Sequence, residues 1–225
     1  SGQKKMNRVF DSTAINSTQR FANRMQSGIF PPQRKWCRLE PGSDIPTDRK
    51  QEAQLALDVY SDKMFDALKQ SNFDIAIGEF LLDLSVGTAV MMVQPGDDVN
   101  PINFIPVPQY LVSFEEGADG QVDNVYRRMR IKGEVLERQW PDIKIPDQLK
   151  KQIKDKPTEE IELIEATVQD QKRGDYCYHV IDKKSKTELV YRRMKQSPWI
   201  VSRYSKVAGE IYGRGPLITA LPDIK

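Results

Sequence analysis

The chain has 225 residues, 39% apolar and 29% charged, with a net charge of +2. That length can bury a sizeable core, and a charge so near zero gives no general attraction for nucleic acid. Two cysteines without motif spacing fit a reducing compartment better than a disulfide framework, and no apolar run is long enough to span a membrane.

Asp11-Ser12-Thr13 offers N-cap residues for a first helix, with Ile15, Phe21, Ala22 and Met25 as its buried stripe. Gly28 ends it and Pro31-Pro32 bars continuation. Trp36 and Leu39 then alternate with basic residues around Cys37, as in a short strand or an extended arm. Asp48 is the expected cap of a second helix, with Gln51 three residues on. Its buried positions are Ala53, Ala56, Leu57, Tyr60, Met64 and Leu68. A third helix starts at Ser71 or Asn72, buries Phe73, Ile77, Phe80, Leu81 and Leu84, and ends at Gly87. Residues 89–93 form a continuous apolar run that reads as a buried strand, closed by the turn Pro95-Gly96-Asp97-Asp98.

From there the pattern is β. Strands are predicted at 102–107, 110–114, 122–131, 161–168, 176–182, 188–195 and 199–204, with short helices between 133 and 156 broken by Pro141 and Pro146. In 122–131, Val125, Arg127, Met129 and Ile131 share one face, and Tyr126, Arg128 and Arg130 the other. The fold class is therefore α+β: N-terminal helices (47–86), a β-rich part of mostly antiparallel strands and hairpins (88–204), and a segment 209–225 that opens a helix. Val125-Tyr126-Arg127-Arg128-Met129 recurs as Val190-Tyr191-Arg192-Arg193-Met194. Nothing around the copies matches, which favours convergence over duplication.

Charge is segregated. Residues 1–40 carry eight Lys/Arg against two acids, 41–100 carry four against eleven, and 171–206 carry ten against three. Such blocks suit a self-complementary subunit contact or separate solvated faces.

Little in the chain looks like chemistry. His179, the only histidine, shares a strand face with Cys177. Two ligands are too few for a zinc site, and a cysteine–histidine nucleophile has no supporting motif here. Gly213-Arg214-Gly215 lacks the third glycine of a dinucleotide site and the Lys-Ser/Thr of a phosphate loop. Asp97-Asp98 and Glu115-Glu116 fall in predicted turns, where solvated acids outnumber ion ligands. No catalytic, cofactor-binding or metal residue is assigned. Arginine and tyrosine interleave at 126–128, 191–193 and 203–204, on faces suited to nucleic acid or to a protein partner. Trp36, Arg127 and Arg192 are the candidate interface residues.

The stretch Gly209-Glu210-Ile211-Tyr212-Gly213-Arg214-Gly215-Pro216 reads as a turn feeding a helix. Gly213 and Gly215 are expected to supply backbone angles closed to other residues, and Pro216 to sit at the first helical position. Arg214 is expected to hold the turn through backbone carbonyls, with a DNA or partner contact as the alternative. Leu217, Ala220, Leu221 and Ile224 recur at helical spacing up to the last residue, so the helix is expected to continue in a longer protein.

This stretch, with Ala220-Leu221-Pro222-Asp223-Ile224-Lys225, resembles the head-to-tail connector (portal) proteins of short-tailed bacteriophages. Residues 197–204 are similar to that family's lead-in, with Tyr204 where many members have tryptophan. Phe10-Asp11-Ser12-Thr13-Ala14, Phe21-Ala22, Pro31-Pro32 with Trp36, and Ser85-Val86-Gly87-Thr88-Ala89 resemble its earlier motifs, in order. The resemblance implies a non-enzymatic structural subunit: the wing region of a portal ring, typically of twelve copies, through which DNA is packaged and ejected. It implies as partners further copies of the chain, terminase, capsid, scaffold and tail-adaptor proteins, and double-stranded DNA in the channel. It implies no cofactor, no membrane, and a place at the portal vertex of the virion after synthesis in the host cytoplasm. A separate terminase would supply the ATPase. The alternative is a nucleic-acid-binding module using the arginine–tyrosine strand faces, and an enzyme built on Cys177 and His179 is a third reading.

Overall fold

The computed structural model describes residues 12–32 and 34–224, and the fold is α+β. Phe10 and Asp11 of the N-terminal motif lie outside the described residues. The helices are α1 (Thr13–Ile29), α2 (Lys50–Gln70), α3 (Phe73–Val86), α4 (Leu136–Gln139), α5 (Asp147–Asp155) and α6 (Pro216–Ile224). The strands are β1 (Thr88–Pro95), β2 (Ile102–Val107), β3 (Val112–Glu116), β4 (Val122–Lys132), β5 (Glu160–Asp170), β6 (Asp175–Asp182), β7 (Glu188–Met194) and β8 (Trp199–Arg203). Two units result: one from the residues up to Pro106 and from Ser202 onward, the other Val107–Val201.

The first unit is built around α3, whose apolar residues go nearly all round, the mark of a buried helix. Ala76, Ile77, Phe80, Leu81 and Leu84 pack with Ala22 of α1, Ala89 and Met91 of β1 and Phe104 of β2. Each large side chain so buried contributes roughly 1.5–3 kcal/mol. Small residues let α1 lie close: a Cβ on Gly78 would stand 3.2 Å from Gln26 Oε1. Gln26 in turn donates to the Asp74 carbonyl at 2.9 Å. β1 is the middle strand of a three-stranded sheet ordered β2-β1-β8.

Three expectations need correction in this unit. Ile15 is 60% exposed, because α1 meets the core only in its later turns, around Ala22. On α2 the buried residues are Ser61 and Phe65, and Tyr60 faces out. The physical reason is an aromatic cluster in which Phe65 and Trp36 meet edge-on at 5.4 Å, setting the helix's rotation. The expected cap Asp48 does not cap, since α2 is entered through the 3₁₀ turn Thr47–Arg49. α3 does start after Asn72, at Phe73, and the side chain of Asn72 turns toward β2. Its amide donates to the Phe104 carbonyl at 2.7 Å and accepts the Phe104 N–H at 2.8 Å, taking the place of a strand neighbour.

The second unit is an antiparallel meander, β3-β4-β5-β6-β7, each strand pairing with the next. Pro108 leads into a 3₁₀ turn, Gln109–Leu111, so the strand expected at 110 begins at Val112. The alternation along β4 is as read: Val125 is buried, while Arg128 and Arg130 are exposed. Leu136, Trp140 and Leu149, from the segment with α4 and α5, are buried in this unit. The repeated pentapeptides lie on β4 and β7, which run in opposite directions. Val125 shares a cross-strand row with Thr167, Tyr178 and Arg192; Arg127 shares one with Glu165, Val180 and Val190. Valine therefore faces arginine both times, while the residues between do not correspond.

Candidate functional site

Two of the sequence motifs, 85–89 and 209–216, meet. Gly87 ends α3 at φ +151°, a backbone conformation that side-chain-bearing residues rarely adopt. Its carbonyl accepts the Tyr204 N–H at 2.8 Å. The loop after β8 then returns to the same corner. Gly213 N–H donates to Thr88 Oγ1 at 2.8 Å, across 125 residues of sequence. Gly215 N–H donates to the Val86 carbonyl and Arg214 N–H to the Ser205 carbonyl, each at 2.9 Å.

Glycine is required at all three positions. A Cβ on Gly87 would stand 2.1 Å from the Gly213 oxygen, one on Gly213 2.3 Å from the Gly87 oxygen, and one on Gly215 2.2 Å from the Ser85 oxygen. This clasp corrects the expectation for Gly213 and Gly215: close backbone approach demands them, whereas positive φ in this stretch belongs to Gly209, at +82°. From the clasp, Pro216 opens α6, with Ile218 N–H donating back to the Gly215 carbonyl at 3.1 Å.

Arg214 departs from the expectation that it bonds backbone carbonyls. Its guanidinium makes two bonds to the Glu210 carboxylate, one at 2.9 Å, on an exposed surface. That pairing holds the Glu210 carboxyl below its ordinary range. The arginine that reaches a carbonyl in this loop is Arg203, at 3.4 Å from the Ile211 oxygen. Tyr212 is exposed beside it.

Trp36 lies within a cluster of its own chain, edge-on to Phe30 at 4.9 Å and stacked on Phe73 at 6.0 Å. It pins an extended arm along α2. There Leu39 N–H donates to Ser61 Oγ at 3.2 Å, and Gln54 donates to the Leu39 carbonyl at 3.1 Å. Arg38 and Asp58 form an ion pair at the rim of this contact, and it holds the Asp58 carboxyl low.

The meander contains a buried polar row that no sequence motif announced. Glu165, with its side chain 2% exposed, accepts from the Tyr178 hydroxyl at 2.5 Å and from Arg127 at 3.4 Å. Trp140 donates to the Tyr178 oxygen at 3.0 Å. Burial and the neighbouring Glu165 carboxylate push the Tyr178 phenol far above its ordinary range. Arg127 Nε is buried and has no partner. The signal available in the sequence was Glu165 in the inward phase of Ile161, Leu163 and Thr167. Its significance depended on a register that the sequence did not give.

The arginines of the two echoes are largely spoken for. Arg192 binds Asp142, Arg193 binds both Asp170 and Asp175, and Arg130 binds Glu162, which also takes Lys183. With Arg127 on Glu165, Arg128 is the one arginine of these five strand positions without an acidic partner among the described residues. A face that grips phosphates needs uncommitted cations.

Cys177 and His179 do share a face, yet each turns to another neighbour. The thiol lies 3.6 Å from the Tyr191 hydroxyl, and His179 Nδ1 lies 2.6 Å from Glu188. Asp97 accepts the N–H groups of Val99 and Asn100, and Glu115 accepts from Asn124 and Tyr126. Among the described residues no group of three or more His, Cys, Asp or Glu is placed to hold a metal ion, and no helix is long and apolar enough to cross a membrane.

A family model described as bacteriophage head to tail connecting protein matches residues 1–225. No curated protein matches the chain.

Proposed function

The chain belongs to the bacteriophage head to tail connecting proteins, and from that premise we propose that it is a wing-region subunit of the portal ring. A structural role at the junction of head and tail follows from the family itself. The finer reading is a closed ring, typically of twelve copies, through which double-stranded DNA is packaged and ejected. Its other partners are terminase, capsid, scaffold and tail-adaptor proteins. The function is geometric and non-enzymatic: the ring keeps a conduit open while other proteins move the DNA.

The observation that carries this reading is the family match from the first residue to the last. The clasp is consistent with it, since Gly87, Gly213 and Gly215 fix the point from which α6 starts. Native mass measurement of the whole protein is expected to show a closed ring of many copies. Monomers at every concentration and salt would overturn it.

The nucleic-acid-binding reading has less support, because the strand arginines it needs are bound to acids. It requires tight, steeply salt-dependent DNA binding by the chain alone. Weak binding at low salt is the expected result.

A further inference from the structure

The core helix α3 is uncovered along one side. Ala76, Ile77, Phe80, Leu81 and Leu84 are buried. Ile75, Leu82 and Val86, spaced at i, i+7 and i+11, form a stripe on the other side, with Glu79 within it. Ile75 is 72% exposed and Val86 44%, and Leu82 is half-buried between them. A helix that is apolar nearly all round is ordinarily covered nearly all round.

The surroundings of the stripe are acidic. Residues 70–106 carry five acids and no lysine or arginine, and the nearest bases in sequence are Lys69 and Arg127. Glu79, Asp97 and Asp98 have no basic partner among the described residues. The turn between β1 and β2 that bears these two aspartates borders Asn72, the residue before α3. Asn72, Asp97, Asn100 and Ile102 line a groove of about 400 Å³ there.

One stretch of the chain has the matching chemistry. Gln3-Lys4-Lys5-Met6-Asn7-Arg8-Val9-Phe10 has three bases, three large apolar residues and no acid. It lies outside the described residues, but α1 sets where it must start. Gln26, late in α1, donates to the Asp74 carbonyl and sits against Gly78. Phe21, earlier in α1, meets Tyr204 edge-on at 5.8 Å, and Tyr204 N–H bonds the Gly87 carbonyl. α1 therefore runs antiparallel to α3, and its first turn lies at the Val86 end of the stripe. Gln26 back to Ser12 is about 21 Å of helix, against about 12 Å from Gly78 to Val86, so Ser12 overshoots Val86 by about 9 Å. The eight residues 4–11 span about 26 Å when extended. That is enough to return to Val86 and continue the roughly 10 Å of helix to Glu79.

We propose that residues 4–10 cover the outer stripe of α3 in their own copy. Met6, Val9 and Phe10 pack on Leu82 and Val86, and the two lysines come level with Glu79. This stretch is the fitting occupant because its charge is opposite to that of the uncommitted acids, its apolar residues match the stripe, and its reach ends there. No second copy is needed, so the assignment is independent of the ring.

The test uses the full chain with Cys37→Ser and Cys177→Ser, carrying Asn7→Cys and Val86→Cys. Mild oxidation is expected to give a disulfide within one chain. Adding Glu79→Lys, at an exposed position, is expected to slow that cross-link about fivefold or more, because attraction becomes repulsion. Adding Lys4→Glu and Lys5→Glu to that variant should restore the rate, with the melting temperature confirming that each variant is folded. A rate unaffected by Glu79→Lys overturns the proposal, since tethering alone then explains the cross-link. Absence of any cross-link overturns it, and so does a disulfide formed only between two chains, which would give the stripe to a neighbouring copy.

Discussion

At the scale of single residues, the glycines separate two physical reasons for the same residue type. Gly87, Gly213 and Gly215 stand where a Cβ would meet backbone, which has no flexible end to move aside. Replacing any one by alanine is expected to cost about 1–3 kcal/mol, measured by denaturant midpoint, with Gly87 worst because its φ is also unfavourable. Gly28 in α1 has nothing within 4 Å of its Cβ position. Gly28→Ala should therefore stabilise, by about 0.5–1 kcal/mol. Tyr178 gives a second residue-scale prediction. Its phenol titrates above the ordinary value of 10.0 in the folded state, so the unfolded chain loses that proton first. Stability should be intact below pH 10 and fall as pH rises beyond it. Tyr178→Phe should remove that alkaline step while costing about 1–3 kcal/mol at neutral pH, since Glu165 and Trp140 lose a partner.

At the scale of elements, packing is uneven, and the dynamics should follow it. α3 and β1 are buried along most of their length, whereas residues 50–60 of α2 have no buried side chain. Amide hydrogen exchange of the unassembled chain is expected to be fast at 50–60 and slow at 76–93. Pro222 lies inside α6 and offers no N–H to the carbonyl four residues earlier, so the helix is weakened at that turn.

At the scale of the whole molecule, the surface is held by carboxylate–cation pairs. Asp58, Asp142, Glu162, Asp170, Asp175 and Glu210 all titrate below their ordinary values, each chiefly through a hydrogen bond from a cationic partner: Arg38, Arg192, Lys183, Arg193, Arg193 and Arg214 respectively. Folded values below unfolded ones mean that the stabilisation is present above the unfolded range of 3.8–4.5 and is lost as pH falls through the folded values. The melting temperature should decline below about pH 4. Because these groups are exposed, the decline should be modest and flattened by salt.

The sequence by itself determined the element order, the α+β class and the family, because periodicity, turn residues and linear motifs are local properties. Residues 122–131 were placed on their faces correctly because alternation is written in the strand itself. What it left open was which distant pieces touch. The Gly87 and Gly213–Gly215 motifs were both visible, yet only the folded chain brings them within hydrogen-bond distance. The rotation of α2 was misread because Phe65 is directed by Trp36, an aromatic from another segment. The fate of the arginines depended on strand register: Arg127 meets Glu165 only because β4 and β5 pair at that offset. Contacts between residues far apart in sequence are set by global packing, so the tertiary structure alone decided the clasp, the buried row and the committed charges.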